Sequence, residues 1–332
     1  MKAALMTAKG DATVLKVTDV PTPTITKPNQ VLVRLHAAGL NPVDIKMREG
    51  FYPVAQLPYI LGWDGSGVVE AVGAEVTHIA PGDEVWTYCG SFGQPDAQGN
   101  YAEYVLANAE NVSLKPKNLS FAEASAVPLA LLTVWEALFD RANMQAGQTV
   151  LIHAGAGGVG HLAIQLAANA GATVYTTVST PEKADFVKSL GATDVIDYKA
   201  VDFVEATLDL TQGEGVDIAL DTVGGETYLK NVPAIKHYGD LVTLVKPAGD
   251  IDVSAARMKN LRLGFELVLQ PLLRQNADEQ RRQRNILDQT IEMFESEKLR
   301  IHVSRTFPLE DIQQAHTVLA EGSTTGKMVL VM

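Results

Sequence analysis

Residues 149–160 read TVLIHAGAGGVG. A β-branched apolar run ends at His153 and Ala154, and Gly155, Gly157, Gly158 and Gly160 follow at once. A tight turn accounts for one or two glycines; four mark a backbone that something must approach closely. After the turn the chain alternates. GVGHLAIQLAANAG reads as a helix closed by a Gly cap, ATVYTTV (172–178) as a strand, and PEKADFVKSLG as a helix with Pro at its start and Gly at its end. TDVIDY (193–198), a helix near 201–211, VDIALDTV (216–223), another helix, DLVTLVK (240–246) and a sixth strand candidate, LRLGFELVL (261–269), continue the pattern. Alternation at this spacing predicts an α/β fold with a doubly wound parallel sheet covered by helices on both faces.

At the first strand–helix junction, Gly155-x-Gly157-x-x-Gly160 fits the dinucleotide fingerprint. The first glycine permits the sharp turn, the second lets the backbone approach a pyrophosphate, and the third lets the helix pack on the strand. Unpaired N–H groups at the helix start then complement phosphate charge. The plain alternative is a close-packed turn with no ligand. Nucleotide choice depends on the end of the second strand, about 20 residues on, where an NAD site carries an acid for the ribose 2′-hydroxyl. Val178 and Ser179 stand there, and the nearest acid, Glu182, is already on the next helix. Ser179 and Lys183 are donors suited to a 2′-phosphate, so the expected cofactor is NADPH.

A chain of 332 residues predicts two domains. No run of 18 apolar residues is present, so no transmembrane helix is expected. The start, MKAALMTAKGDATVL, lacks the pattern of a signal peptide and reads as a strand from residue 2. With a single cysteine, Cys89, a cytoplasmic location is expected. Cys89 has no His or Lys near it in sequence and reads as a small apolar filler. The net charge of −12 argues against a nucleic-acid partner. The one basic cluster, RRQRN at 281–285, is flanked by Asp278, Glu279 and Asp288 and reads as a solvated face or subunit contact. The first hundred residues are β-rich: QVLVRLHAAGL (30–40), GSGVVEAVG (65–73), GDEVWTY (82–88) and NYAEYVLA (100–107) are short strand-like runs. FAEASAVPLALLTVWEALFD, from 121, reads as helix with a break at Pro128. The polar helix 276–299 and the ending 301–332 are expected to return to the first domain.

GLNPVDIKMREG (39–50), LGWDGSGVVEAVG (61–73), PGDEVW (81–86), GNYAEYV (99–105), AVPLALLTVWEAL (126–138), VLIHAGAGGVGHLAIQLA (150–167), LGATDVIDY (190–198) and a C-terminal TGKMVLV occur in this order. Together they resemble the zinc-free branch of the medium-chain dehydrogenases/reductases, the quinone oxidoreductase or zeta-crystallin-like proteins, over essentially the whole chain. The resemblance implies a chaperonin-10-like β-barrel catalytic domain (1–123), a Rossmann NADPH-binding domain (124–272) and a return segment (273–332) completing the first, with the active site in the cleft. It implies a homodimer or homotetramer paired through Rossmann strands, with LRLGFELVL as the plausible edge. The ligand positions of zinc-dependent relatives fall at Asn41 and Trp63, which do not suit Zn²⁺, and the four-cysteine lobe is missing, so no metal is expected. By resemblance, Asn41 and Thr133 lie near the nicotinamide and Asp44 lies in the same motif. Gly155, Ala156, Gly157, Gly158, Val159 and Gly160 form the pyrophosphate turn, and Ser179, Lys183 and Tyr198 the 2′-phosphate and adenosine ribose region. Thr222, Val223, Leu244 and Val245 end the fourth and fifth strands beside the nicotinamide ribose. Lys46 stands where several quinone oxidoreductases carry a Tyr, so no tyrosine role is carried over.

The expected chemistry is metal-free hydride transfer to a quinone or to the β-carbon of an α,β-unsaturated carbonyl. Asn41, Lys46 and Tyr52 are the candidate donors to the developing oxyanion, with water as another proton source. Lys46 and Arg48 are candidates to attract an anionic substrate, and Tyr52, Tyr59, Trp63 and Trp135 to line an apolar pocket. Loop 88–99 and region 247–275 are expected to shape that pocket. Two alternatives stay open. An enoyl-thioester reductase would need a basic mouth, for which Arg257, Lys259 and Arg262 are candidates; the other is a nucleotide-binding structural or sensing protein with little turnover.

Overall fold

The computed structural model describes residues 1–52, 54, 56–90 and 98–332. Residues 91–97, within the loop expected to shape the pocket, lie outside the described residues. The chain divides into two units, one of residues 1–129 with 269–332 and one of residues 130–268.

The second unit is built on the predicted alternation. Its strands are β1 (Thr149–Ile152), β2 (Thr173–Val178), β3 (Asp194–Asp197), β4 (Val216–Asp221), β5 (Ile235–Thr243) and β6 (Arg262–Phe265). They form one parallel sheet in the order 3-2-1-4-5-6. This is the doubly wound order, in which the chain leaves β3 at one edge and restarts on the far side of β1. Valine, isoleucine and leucine dominate the central strands because helices cover both faces: Val150, Leu151, Ile152, Ile218, Ala219 and Leu220 are fully buried. Helix α1 (Gly160–Asn169) follows β1, and α2 (Pro181–Ser189), capped by Thr180, follows β2. Gly171 closes α1 in the left-handed conformation (φ 84°), the cap read from the sequence. Strand β6 is shorter than its 261–269 candidate and is the sheet edge.

The first unit carries a seven-stranded sheet. Strands 303–308, 327–331, 30–39, 64–72, 84–88 and 112–114 lie in that order, and 104–108 also pairs with 30–39. The C-terminal strand Lys327–Val331 runs antiparallel to Gln30–Gly39, with Val329 opposite Gly39. The last residues are thereby placed against the start of the helix Pro42–Glu49. A second sheet joins Leu15–Asp19, Lys2–Met6 and Tyr59–Ile60. The predicted helix from 121 is two: Phe121–Ser125, capped by Ser120 and Glu123, and a second opening at Pro128. The RRQRN cluster lies on helix Ala277–Glu295, where Arg281 meets Asp278, Arg282 meets Glu279 and Arg284 meets Asp288. Arg281 and Arg282 form a solvated, ion-paired face, whereas the Arg284 side chain is largely buried. Among the described residues no helix is long and apolar enough to cross a membrane.

Candidate active site

In the second unit the glycine turn differs from its sequence reading in one respect. The residue that swings the chain is Ala154, left-handed at φ 50°. Gly155 is required for space instead: a Cβ there would stand 2.0 Å from Thr176 Oγ1, whose hydroxyl donates to the Ile152 carbonyl at 2.7 Å. Gly160 packs as expected, its absent Cβ falling 2.4 Å from the Ala154 carbonyl oxygen. At Gly157 a Cβ would meet only that same oxygen, at 3.1 Å, so the protein itself barely needs this glycine. The Gly157 N–H donates to the Ala154 carbonyl and His161 Nδ1–H to the Gly157 carbonyl at 2.8 Å, which fixes the turn. Among the described residues, the N–H groups of Ala156, Gly158 and Val159 have no acceptor. Three unpaired donors ahead of a ten-residue helix form an anion cradle.

Beside the turn is a pocket of about 610 Å³, at the ends of β1, β2, β3 and β4, whose lining includes His153, Thr177, Tyr198, Val223 and Lys230. Burial keeps His153 neutral, its Nε2–H donating to Asn231 Oδ1 at 2.7 Å, so it is a packing group. Ser179 is half-buried just after β2, and Lys183, also half-buried, lies in the first turn of α2, where its N–H is capped by Thr180. Glu182 is exposed on α2, and no carboxylate occupies the end of β2 itself. Thr222 ties the end of β4 to the His153 carbonyl at 2.8 Å. Asp221 accepts from the N–H groups of Val223 and Gly224, and its own carbonyl accepts from Leu244, which brings Val223, Leu244 and Val245 to adjacent strand ends. Thr133 is buried on helix Pro128–Trp135 of the same unit.

In the first unit Asn41 opens the helix Pro42–Glu49 and sits in a buried polar network. Its N–H donates to Asp44 Oδ2 (2.9 Å), which also accepts from the Tyr101 hydroxyl (2.8 Å). Its side-chain Nδ2 donates to Asp64 Oδ2 (2.8 Å), while Asp64 Oδ1 accepts from the Leu129 N–H. Lys327 Nζ donates to Asn41 Oδ1 and to the Leu40 carbonyl, with Asp64 Oδ2 3.9 Å away. Burial dominates the ionisation. It raises Asp44 to about 7, against the hydrogen bonds from Tyr101 and Asn41, and raises Asp64 to about 6, against the pull of Lys327. It likewise lowers Lys327. Asp64, Tyr101 and Lys327 escaped the sequence reading. The available signal was a charged residue inside a buried strand: Asp64 heads GSGVV and Lys327 heads MVLV.

Other expected residues divide between surface and core. Lys46 and Tyr52 are half-buried on and just after the Asn41 helix. Arg48 does not serve an anionic substrate: it is buried, donating to the Gly10 carbonyl and Glu49 and lying 3.4 Å from His316. Tyr59 and Trp63 are core residues, while Trp135 is half-buried against Phe139. Burial pushes the Cys89 thiol up to about 11, so it is inert filler beside Asn100. The basic mouth considered for a thioester tail loses two members: Lys259 Nζ is held by the carbonyls of Val232, Pro233 and Ile235, and Arg262 by Asp240.

The family profile described as "Zinc-binding dehydrogenase" matches residues 190–330, and "Alcohol dehydrogenase GroES-like domain" matches residues 27–117. A quinone oxidoreductase of Pseudomonas aeruginosa is 35% identical over 305 residues, 92% of this chain and 91% of its own. A 2-methylene-furan-3-one reductase of Solanum lycopersicum is 40% identical over 259 residues, 75% of this chain and 64% of its own. The Escherichia coli quinone oxidoreductase complexed with NADPH superposes with a TM-score of 0.89 at 27% identity, over 100% of both chains. Zinc does not fit the residues present. The Asn41 side-chain oxygen already binds an ammonium, Trp63 offers no metal donor, and no group of three His, Cys, Asp or Glu among the described residues is placed to hold a metal. With a Rossmann sheet, a GroES-like unit and relatives of this identity and coverage, the chain belongs to the quinone oxidoreductase family of the medium-chain dehydrogenases/reductases.

Proposed function

We propose that the protein is an NADPH-dependent, zinc-independent oxidoreductase that reduces a quinone or an α,β-unsaturated carbonyl. The observation that carries the cofactor choice is the end of β2, where Ser179 and Lys183 stand and no carboxylate does. The three unpaired N–H groups of the turn and the adjacent pocket support a dinucleotide there. In this reading Gly155 to Gly160 hold the pyrophosphate, Ser179, Lys183 and Tyr198 the 2′-phosphate and adenosine ribose, and Thr222, Val223, Leu244 and Val245 the nicotinamide ribose. Asn41, Asp44 and Thr133 serve the nicotinamide end. When bound, NADPH supplies a hydride to the electron-poor carbon of the acceptor. Asn41, Lys46 and Tyr52 are the donors that meet charge developing on the acceptor oxygen, and Lys46, Tyr52 or water supplies the proton.

The acceptor class is supported by the relatives' names, a quinone oxidoreductase and a 2-methylene-furan-3-one reductase, whose substrate is an enone. The enoyl-thioester alternative loses support from the commitment of Lys259 and Arg262. A second copy of this chain is the expected partner, through the edge of β6, where Phe265 is 58% exposed. Light scattering that returns a monomer mass overturns that part. Stopped-flow oxidation of bound NADPH by quinones, 2-alkenals and enoyl thioesters tests the whole. Fast oxidation by the first two classes is expected. Preference for the thioesters overturns the acceptor class, and oxidation by none leaves a nucleotide-binding protein without turnover.

A further inference from the structure

Lys327 opens the last strand, yet its side chain lies in the interior, with the residue 5% exposed. An ammonium offers three donors. Here two go to the Leu40 carbonyl and Asn41 Oδ1, and the charge faces Asp64 Oδ2 at 3.9 Å. Burying this cation costs desolvation that an apolar residue of similar volume would avoid, so stability alone does not account for it. What Lys327 does determine is orientation. The oxygen and nitrogen of a side-chain amide exchange places on a half rotation with little change of shape. With Lys327 donating to Oδ1 and Asp64 accepting from Nδ2 at 2.8 Å, the flipped amide would set an ammonium against NH₂ and a carboxylate against a carbonyl oxygen. Both contacts select one rotamer, and among the described residues the second hydrogen on Nδ2 has no acceptor.

We propose that Lys327 is a positioning residue for hydride transfer: it holds the Asn41 amide in the orientation whose remaining N–H donates to the oxygen of the acceptor carbonyl. This rests on Asn41 being a donor to the acceptor, as proposed above. Asp64 works with Lys327, its carboxylate closing the other side of the amide.

The test is a double-mutant cycle between Lys327→Met and Asn41→Ala, read as the single-turnover rate of hydride transfer at saturating NADPH and acceptor. Thermal unfolding is recorded on each variant. Each single variant is expected to slow transfer about tenfold, and the double variant to be no slower than Asn41→Ala alone, because Lys327 acts only through Asn41. A residue that merely supports the fold would give losses that multiply. Where Lys327→Met does not unfold cooperatively, Lys327→Met with Asp64→Asn removes both buried charges together and is cycled against Asn41→Ala in its place. A wild-type rate in the Lys327 variant, or multiplied losses, overturns the inference and leaves the Asn41 donor standing. A wild-type rate in Asn41→Ala overturns the donor itself, and the inference with it.

Discussion

Tyr101 donates its hydroxyl to Asp44 Oδ2 at 2.8 Å, in a setting where both residues are shut away from water. The other oxygen of that carboxyl, Oδ1, is buried with no hydrogen-bond partner among the described residues. A half-satisfied carboxylate in such a place holds its proton, which is why Asp44 is raised to about 7.

A pH dependence of stability follows. Asp44 binds its proton more tightly in the folded chain than at its ordinary value of 3.8, so the folded state loses stability as pH rises from there to about 7 and levels off above. Asp64 adds a slope of the same sign that ends at about 6. Lys327, lowered, contributes the opposite sign in the window that ends at 10.5. Asp44→Asn keeps an acceptor for Tyr101 and removes the titration. Urea unfolding at about pH 5 and about pH 8 is expected to show wild type losing more stability between the two than the variant does. The difference reaches about 1.4 kcal/mol for each pH unit crossed below the folded pKa. Parallel curves for the two proteins contradict this assignment.

The glycines of the turn separate into two kinds. Alanine at 155 or 160 places a Cβ 2.0 Å or 2.4 Å from Thr176 Oγ1 or the Ala154 carbonyl oxygen, so each is expected to lose about 1–3 kcal/mol of stability. Alanine at 157 meets one atom at 3.1 Å, and its unfolding temperature is expected to stay near that of wild type. Its NADPH dissociation constant is expected to rise tenfold or more, since about 1.4 kcal/mol of lost contact suffices. Calorimetry and cofactor titration on the three variants check this. Unchanged NADPH affinity in Gly157→Ala would remove the pyrophosphate from the turn.

Metal removal has a definite expectation too. Because Asn41 and Trp63 are unsuited to zinc and Lys327 already occupies the Asn41 oxygen, dialysis against a strong chelator is expected to leave turnover unchanged. Loss of activity on chelation, restored by Zn²⁺, would show a metal site that these residues do not provide.

The strand–helix rhythm from residue 149 was legible because each strand of a covered parallel sheet must be apolar throughout and each helix carries its own caps. The glycine turn was legible in place, though its left-handed residue proved to be Ala154, since sequence cannot show whether a glycine is needed for torsion or for room. Asn41 and Asp44 were singled out through the family resemblance of GLNPVDIKMREG. Asp64, Tyr101 and Lys327 were not: strand pairing brings Asp64 and Lys327 to the Asn41 amide, and Tyr101 reaches the Asp44 carboxylate, all from positions distant in sequence. Arg48 and Lys259 looked like surface cations because nothing local reveals the acceptors that bind them, whereas Arg262 is exposed and paired with Asp240.

The central claim, NADPH-dependent hydride transfer, is tested most directly by kcat/KM for NADPH and NADH measured side by side with the best acceptor, in wild type and in Lys183→Ala. NADPH is expected to be preferred by about tenfold or more, and the preference to narrow in the variant as one contact to the 2′-phosphate is lost. Equal or better use of NADH by the wild-type protein contradicts the account.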